Sequence, residues 1–257
     1  MSEIEYDASV SERDEDSFSK YYDPHHSAKR TKSRKSCQLK GLRVPEGRLK
    51  IIEGIMPVKE VLQLAKSYNT TLTVMLTSMM LIAFAEEIPL RQKKKPVILS
   101  VPVNLRNYFQ SETARNFFGV IQVGYNFSQG PGTLEDVIAC VKEEFKRELT
   151  AEQLGARMAA LSKAEHNYVA RAVPLVIKDL ILWTADTISE SYTAGSISNI
   201  GKIDLPEAAK PFVKRFDVFV STDKLQACVC SYGGELTVSF TSAFRSTNVQ
   251  KHFFRQL

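Results

Sequence analysis

Asn104, Arg106, Asn107, Arg115 and Asn116 lie close together in this sequence and are interleaved with Tyr108, Phe109, Phe117 and Phe118. Amides and guanidiniums are planar donors with several N–H groups each, suited to holding carboxylate, phosphate or carbonyl oxygens. Such a cluster at the end of an apolar strand is a common way to place polar groups at a pocket mouth. The same residues equally suit a capped, well-packed surface loop. A second constellation is Ser198-Asn199-Ile200-Gly201. A hydroxyl, a carboxamide and a glycine that admits close approach favour an oxyanion or amide contact over acid–base work. These are also turn residues, so a plain turn is the alternative.

Acid–base and nucleophilic candidates are few. The sequence has no GxSxG, Walker loop, GxGxxG or HExxH. His25-His26 is an adjacent pair without carboxylate or cysteine at ligand spacing, and reads as solvent-exposed. His166 and His252 stand singly in helical stretches, where packing or surface roles are expected. The carboxylate pairs Glu86-Glu87 and Glu143-Glu144 fall on helix faces and read as solvated charge. Cys37, Cys140, Cys228 and Cys230 form no CxxC pair, so no metal site is expected. Cys228 and Cys230 are two apart in a β-like run and should share one side of a sheet as small buried thiols.

The elements that must carry these groups can be read from periodicity. The apolar run from Val97 to Val103, opened by Pro96, predicts a strand that delivers the first cluster, and Phe118 to Tyr125 a second strand behind it. Residues 196–201 predict the strand bearing Ser198 and Asn199. Further strands are expected over 48–55, near 215–221, over 225–231 and over 235–242, with Gly233-Gly234 as a hairpin turn between the last two. Helices are expected over 57–67, 72–87 (capped by Thr71, closed by Pro89), 134–149 (capped by Thr133), 150–165, 167–188 with a break at Pro174, and from Thr247 onward with Phe253 and Phe254 as anchors. The helix over 72–87 is apolar nearly all round and should be buried. Helices and strands alternate at first and meander later, so the class is α/β with a mixed sheet packed with helices.

Length and charge bound the rest. A chain of 257 residues with 44% hydrophobic and 25% charged residues can bury a sizeable core. Residues 1–37 are polar, acidic first and basic afterwards, and read as a disordered or linker-like tail before a folded region over 38–257. The net charge of +5 is concentrated, with nine Lys or Arg between residues 29 and 50 against the single Glu46. No RNA- or DNA-binding motif accompanies this run, so nucleic acid is not an expected partner. The longest apolar stretch, 72–85, is too short to span a bilayer, and Met1 to Asp16 is unlike a signal peptide. A cytoplasmic setting is the default expectation.

Taken in order, five pieces resemble one superfamily: Thr71-Leu72-Thr73, VPVNLRNYF at 101–109, RNFFG at 115–119, SNIGKIDLPE at 198–207 and LTVSFTSAFRSTNVQKHFFRQL at 236–257. The superfamily is that of the CoA-dependent acyltransferases and the condensation domains of nonribosomal peptide synthetases, in particular its alcohol-acetyltransferase-like branch. The resemblance covers 38–257 and matches only the second half of the family pattern. It implies a chloramphenicol-acetyltransferase-like α/β sandwich half-domain. It also implies acetyl-CoA or another acyl-CoA as co-substrate, with no tightly bound cofactor, and a small alcohol or amine as acceptor. The family's catalytic histidine sits in an HHxxxDG motif in the first half. Here His25-His26 is followed by Arg30 and Thr31 where Asp and Gly belong, so the pair is rejected as that motif and no catalytic residue is assigned. Supporting roles carry over as implications. Asn104 and Arg106 would shape the tunnel mouth, and Arg106 or Arg115 would meet an anionic group of CoA. Asn116 would brace the loop, while Ser198 and Asn199 would line the tunnel and donate to an oxyanion. The expected partner is a separate N-terminal half. The alternatives are a non-catalytic or homodimerising module of this fold, and a stray half of a condensation domain.

Overall fold

The computed structural model describes residues 9, 15–23, 34–92, 94–165, 179 and 190–257. His25-His26, His166 and nearly all of the helix expected over 167–188 lie outside the described residues. The chain divides into two compact units. One comprises Met1–Lys32, Pro102–Ile121 and Lys146–Ala185, and the other Ser33–Val101, Gln122–Phe145 and Asp186–Leu257.

The larger unit is built on a six-stranded mixed sheet, the class the sequence predicts. Its strands are β1 (Lys50–Pro57), β2 (Val97–Asn104), β3 (Phe118–Tyr125), β4 (Gly195–Lys202), β5 (Leu225–Tyr232) and β6 (Glu235–Ser242), in the order β1-β6-β5-β4-β2-β3. β1 and β5 run antiparallel to β6, while β4 runs parallel to both β5 and β2. The expected Gly233-Gly234 turn closes the β5–β6 hairpin, with Tyr232 opposite Glu235.

Helix α2 (Val58–Ser67) leads into α3 (Leu72–Glu87), whose N-cap is Thr71, its hydroxyl accepting from the Val74 amide at 3.3 Å. α3 is buried along most of its length, as its all-round apolar pattern requires. Its buried hydroxyls satisfy themselves within the helix, Thr77 donating to Thr73 O and Ser78 to Val74 O. The C-terminal helix α6 (Asn248–Phe254) packs on α3. Phe253 is fully buried, edge-on to Phe240 of β6 at 5.1 Å. Glu87 holds this junction, accepting from Asn248 at 3.0 Å and facing His252 at 3.2 Å. The reading of the carboxylate pairs as solvated charge holds for exposed Glu86 and Glu143 and is corrected for Glu87. Glu144, on α4 (Leu134–Glu148), likewise accepts the Gly124 amide of β3 at 2.7 Å.

The strand expected near 215–221 does not form. Parallel pairing of β4 with β5 obliges the chain to return the length of the sheet before β5 can start. Residues 203–224 make that return, as irregular chain with one short 3₁₀ turn at Lys210–Phe212. They cross the hydroxyl- and thiol-bearing side of the sheet, where Thr241 donates to Val220 O at 2.8 Å and Cys230 to Phe216 O at 3.3 Å. Both neighbours of β5 and of β6 are already taken, so the segment finds no free edge beside either strand.

The reading of residues 1–37 as a tail is corrected at two places. Ser36 is buried, receives the Ile98 amide at 3.0 Å, and donates its own amide to Ser191 O; Cys37 donates its amide to Pro96 O. In the smaller unit, residues 17–20 form the short helix α1 (Ser17–Lys20), whose Phe18 stands edge-on to Phe117 at 5.2 Å. Polar residues with few apolar neighbours in sequence concealed both anchors. The smaller unit also contains α5 (Ala151–Glu165). The buried Glu148 carboxylate pairs there with Arg147 and Arg157, and Arg157 also donates to Val120 O at 3.0 Å.

A Cβ on Gly195 would lie 2.5 Å from Leu225 O and 2.7 Å from the Phe84 ring, so Gly195→Ala must displace backbone or core. It should destabilise the protein by about 2–3 kcal/mol in urea unfolding, as overpacking does. Burial pushes the Cys37 thiol up to about 11. A protonated thiol is inert, so in native protein at mildly alkaline pH a maleimide should modify half-buried Cys140 well before Cys37. Because the unfolded thiol ionises first, the stability that Cys37 contributes should fall as pH rises from its ordinary value towards 11.

Candidate functional site

β4 carries the second constellation. After Ser198 opposite Cys228 and Asn199 opposite Val229, the register shifts, and Gly201 stands opposite Cys230. Gly201 takes φ +86°, a left-handed conformation that disfavours side chains, and a Cβ there would meet open space. Glycine is therefore needed for its backbone freedom and not for room. Asn199 brackets the bulge. Its Oδ1 accepts the Gly201 amide at 3.0 Å, and its Nδ2 donates to Thr73 Oγ1 at 2.8 Å. Two short motifs 126 residues apart, Thr71-Leu72-Thr73 at the start of α3 and Ser198-Asn199-Ile200-Gly201 on β4, thus meet through one side-chain hydrogen bond. That junction had no signal in local sequence, because it depends on how α3 lies across the sheet.

Alternation puts Ser198 on the opposite side of β4 from Asn199. Ser198 is half-buried and lies in one cross-sheet row with Cys228 and Ser239. The expected common side of Cys228 and Cys230 is found, both thiols are buried, and burial raises both pKa values. At the start of the same strand, Ser196 and Ser100 line a small open cavity of about 210 Å³ with Thr193, Thr222, Asp223 and Lys224. Among the described residues no cluster of His, Cys, Asp and Glu is arranged to hold a metal ion. No single helix there is long and apolar enough to cross a membrane.

The first constellation lies in the smaller unit, and Ser198 and Asn199 lie in the larger one. Asn104 ends β2 and caps the 3₁₀ turn Leu105–Asn107, accepting the Arg106 amide at 3.1 Å. Arg106 reaches over the loop that follows. Its Nη2 donates to Thr113 O at 2.8 Å and to Arg115 O at 2.7 Å. One guanidinium nitrogen holding two carbonyls fixes the loop's ends against each other. Asn116, expected to brace the loop, is exposed and makes no hydrogen bond among the described residues, so the brace is Arg106 instead. Arg115 is exposed, with its own amide donated to Thr113 Oγ1. Leu105 and Phe117 are buried beneath the loop.

No family model matches the sequence, and no curated protein matches it. Solved structures do share its fold. The nonribosomal peptide synthetase FmoA3 matches over 86% of this chain and 23% of its own, at 15% identity and a TM-score of 0.56. The TRI3 trichothecene 15-O-acetyltransferase from Fusarium sporotrichioides matches over 86% of this chain and 47% of its own, at 13% identity and 0.55. The epimerization domain from the third module of tyrocidine synthetase B matches over 90% of this chain and 52% of its own, at 12% identity and 0.56. The chain spans about half the length of the latter two proteins or less. Its fold is the chloramphenicol-acetyltransferase-like fold that these structures share, as the sequence motifs imply.

The Asn199 bracket predicts a coupled effect. Asn199→Ala should cost about 1–3 kcal/mol, because the Gly201 amide loses its acceptor and Thr73 its donor. Thr73→Val should cost less alone. A double-mutant cycle by chemical unfolding should give a coupling of at least about 0.5 kcal/mol, whereas additive single effects would show the bond to be energetically idle.

Proposed function

We propose that this chain is the second half of an acyl-CoA-dependent acyltransferase that passes an acyl group, acetyl in the simplest case, to an alcohol or amine. The observation that carries the reading is the half-length fold match to an O-acetyltransferase, combined with the Asn199–Thr73 bond that joins two of the resembling motifs. In this reading the general base is the histidine of an HHxxxDG motif on a separate first half. It takes the proton of the acceptor as the oxygen or nitrogen attacks the thioester carbonyl. The tetrahedral intermediate then expels the CoA thiolate, which recovers that proton.

This chain's residues hold and shape. Asn199 spends both ends of its carboxamide on the bulge and on α3, so its role is to position β4, and Ser198 is the hydroxyl left to donate to a developing oxyanion. Arg106 keeps the loop closed, and exposed Arg115 is the cation best able to meet a phosphate of the donor. The donor is a co-substrate and not a resident cofactor. The setting proposed is the cytoplasm, where acyl-CoA is available.

The test is thiol release from acetyl-CoA, measured with this chain alone and with a co-expressed first half bearing HHxxxDG. Activity is expected only in the mixture, and Ser198→Ala should lower its kcat on the order of 10²-fold. Turnover by this chain alone, abolished by substituting His25 and His26, would overturn the assignment of the base to another segment.

A further inference from the structure

Residues 15–21 are docked on the loop that carries Arg106 and Arg115. Polar contacts hold this segment, among them Lys20 Nζ donating to Gln110 O at 3.4 Å. The Glu15 carboxylate accepts the Glu112 backbone amide at 3.3 Å, and Glu15 O accepts the Thr113 hydroxyl at 2.8 Å. The Ser17 hydroxyl, 2% exposed, meets Ser111 Oγ at 2.6 Å, and the Tyr21 hydroxyl donates to Gln110 O. Three aromatic contacts fix it further, Phe18 against Phe117, and Tyr21 against Phe109 at 5.1 Å and Phe117 at 6.4 Å. A four-residue helix has no stability of its own, so α1 is ordered only because it is docked. The loop depends on the contact in return, since several of its backbone and hydroxyl groups find their partners on this segment.

The charges are placed to matter. Glu15 is paired with Lys20 at 3.1 Å, and hydrogen bonds from Lys20 and Ser17 hold its carboxyl below the ordinary range. Asp16 is likewise held low, first by the Ser19 hydroxyl and also by the charge of Arg115. Glu15 and Asp16 thus bring two carboxylates of the chain's own to the loop that carries Arg115.

We propose that Glu15–Tyr21 is an autoinhibitory strap that screens the cationic Leu105–Phe117 loop from anionic ligands and is released when that loop binds one. The proposal rests on the preceding reading only in naming the phosphates of an acyl-CoA as those anions. Release breaks the contacts of Glu15, Ser17, Phe18 and Tyr21 and leaves the Arg106 brace in place, because both of its acceptors belong to the loop itself.

The experiment uses the full chain and two variants, Glu15→Gln and the double variant Phe18→Ala/Tyr21→Ala. Hydrogen exchange of residues 105–117 is compared with that of the β5–β6 hairpin, which reports whether the fold as a whole has loosened. Binding of inorganic pyrophosphate and of coenzyme A is titrated by calorimetry. The strap predicts exchange at least tenfold faster in 105–117 with the hairpin unchanged, and pyrophosphate affinity raised at least threefold in both variants. Unchanged exchange in 105–117 would overturn the docking, and faster exchange without a gain in pyrophosphate affinity would overturn the screening. If pyrophosphate affinity rises while coenzyme A affinity does not, the strap stands and the acyl-CoA reading falls.

Discussion

The parallel pairing of β4 on both sides is the constraint on which the rest of the structure depends. A strand with parallel neighbours cannot be reached by hairpins, so long connections must lead into it and out of it. The exit connection, residues 203–224, has to lie over the sheet, and it lies on the side that presents Thr237, Ser239, Thr241, Cys228 and Cys230. Those residues alternate with Leu236, Val238, Phe240, Ala227 and Val229, which face the helices. The sheet therefore has an oily side covered by α3 and α6 and a hydroxyl-rich side covered by irregular chain. Irregular chain exposes unpaired carbonyls, and hydroxyls and thiols are the side chains that can satisfy them from below.

The two ends of β4 solve opposite problems. At its start, Gly195 lets the strand pass between the Phe84 ring and the Leu225 carbonyl, where any Cβ would collide. At its end, Gly201 has space around it and uses glycine for an inverted backbone. Between them stand Ser198 and Asn199, on opposite sides of the strand. In open sheets of this kind ligands gather beyond the carboxyl ends of parallel strands, and that is the end where Asn199 ties the irregular backbone to the first turn of α3. The bond stiffens a bulged strand end, since an unsupported bulge leaves its amide unpaired.

How legible this was from the sequence depended on the reach of each signal. Period and punctuation located α3 to the residue, because Thr71 supplies a local cap and Pro89 a local stop. The β5–β6 hairpin was equally plain, because Gly233-Gly234 sits between two alternating runs. Residues 215–221 misled because a crossover lying over a sheet alternates in polarity much as a strand does. One side of it meets the sheet and the other meets water, and only the neighbouring strands decide whether its backbone can pair. The docking of residues 15–21 was illegible for a different reason. Composition reports how much a segment can bury by itself, and Phe18 and Tyr21 bury against aromatics nearly a hundred positions away. The two polar clusters were legible in their composition and illegible in their wiring.

That wiring bears on how polar clusters should be read. Arg106, Asn104 and Asn199 drew attention because amides and guanidiniums make many hydrogen bonds in fixed planes. The structure spends that capacity on the chain's own backbone: Arg106 on two carbonyls, Asn104 on one amide, Asn199 on an amide and a hydroxyl. A residue with several donors is as valuable for closing an irregular loop as for closing on a ligand, since the loop leaves just such groups unsatisfied. The groups to examine for ligand contact are therefore those whose capacity is still open or only loosely engaged. Here these are the half-buried Ser198 on the hydroxyl side of the sheet and the exposed Arg115, whose charge helps to hold the Asp16 carboxyl low. In each cluster one residue spends its bonds on the chain while its neighbour stays more open: Arg106 holds the loop and Arg115 is exposed, Asn199 holds the bulge and Ser198 is half-buried.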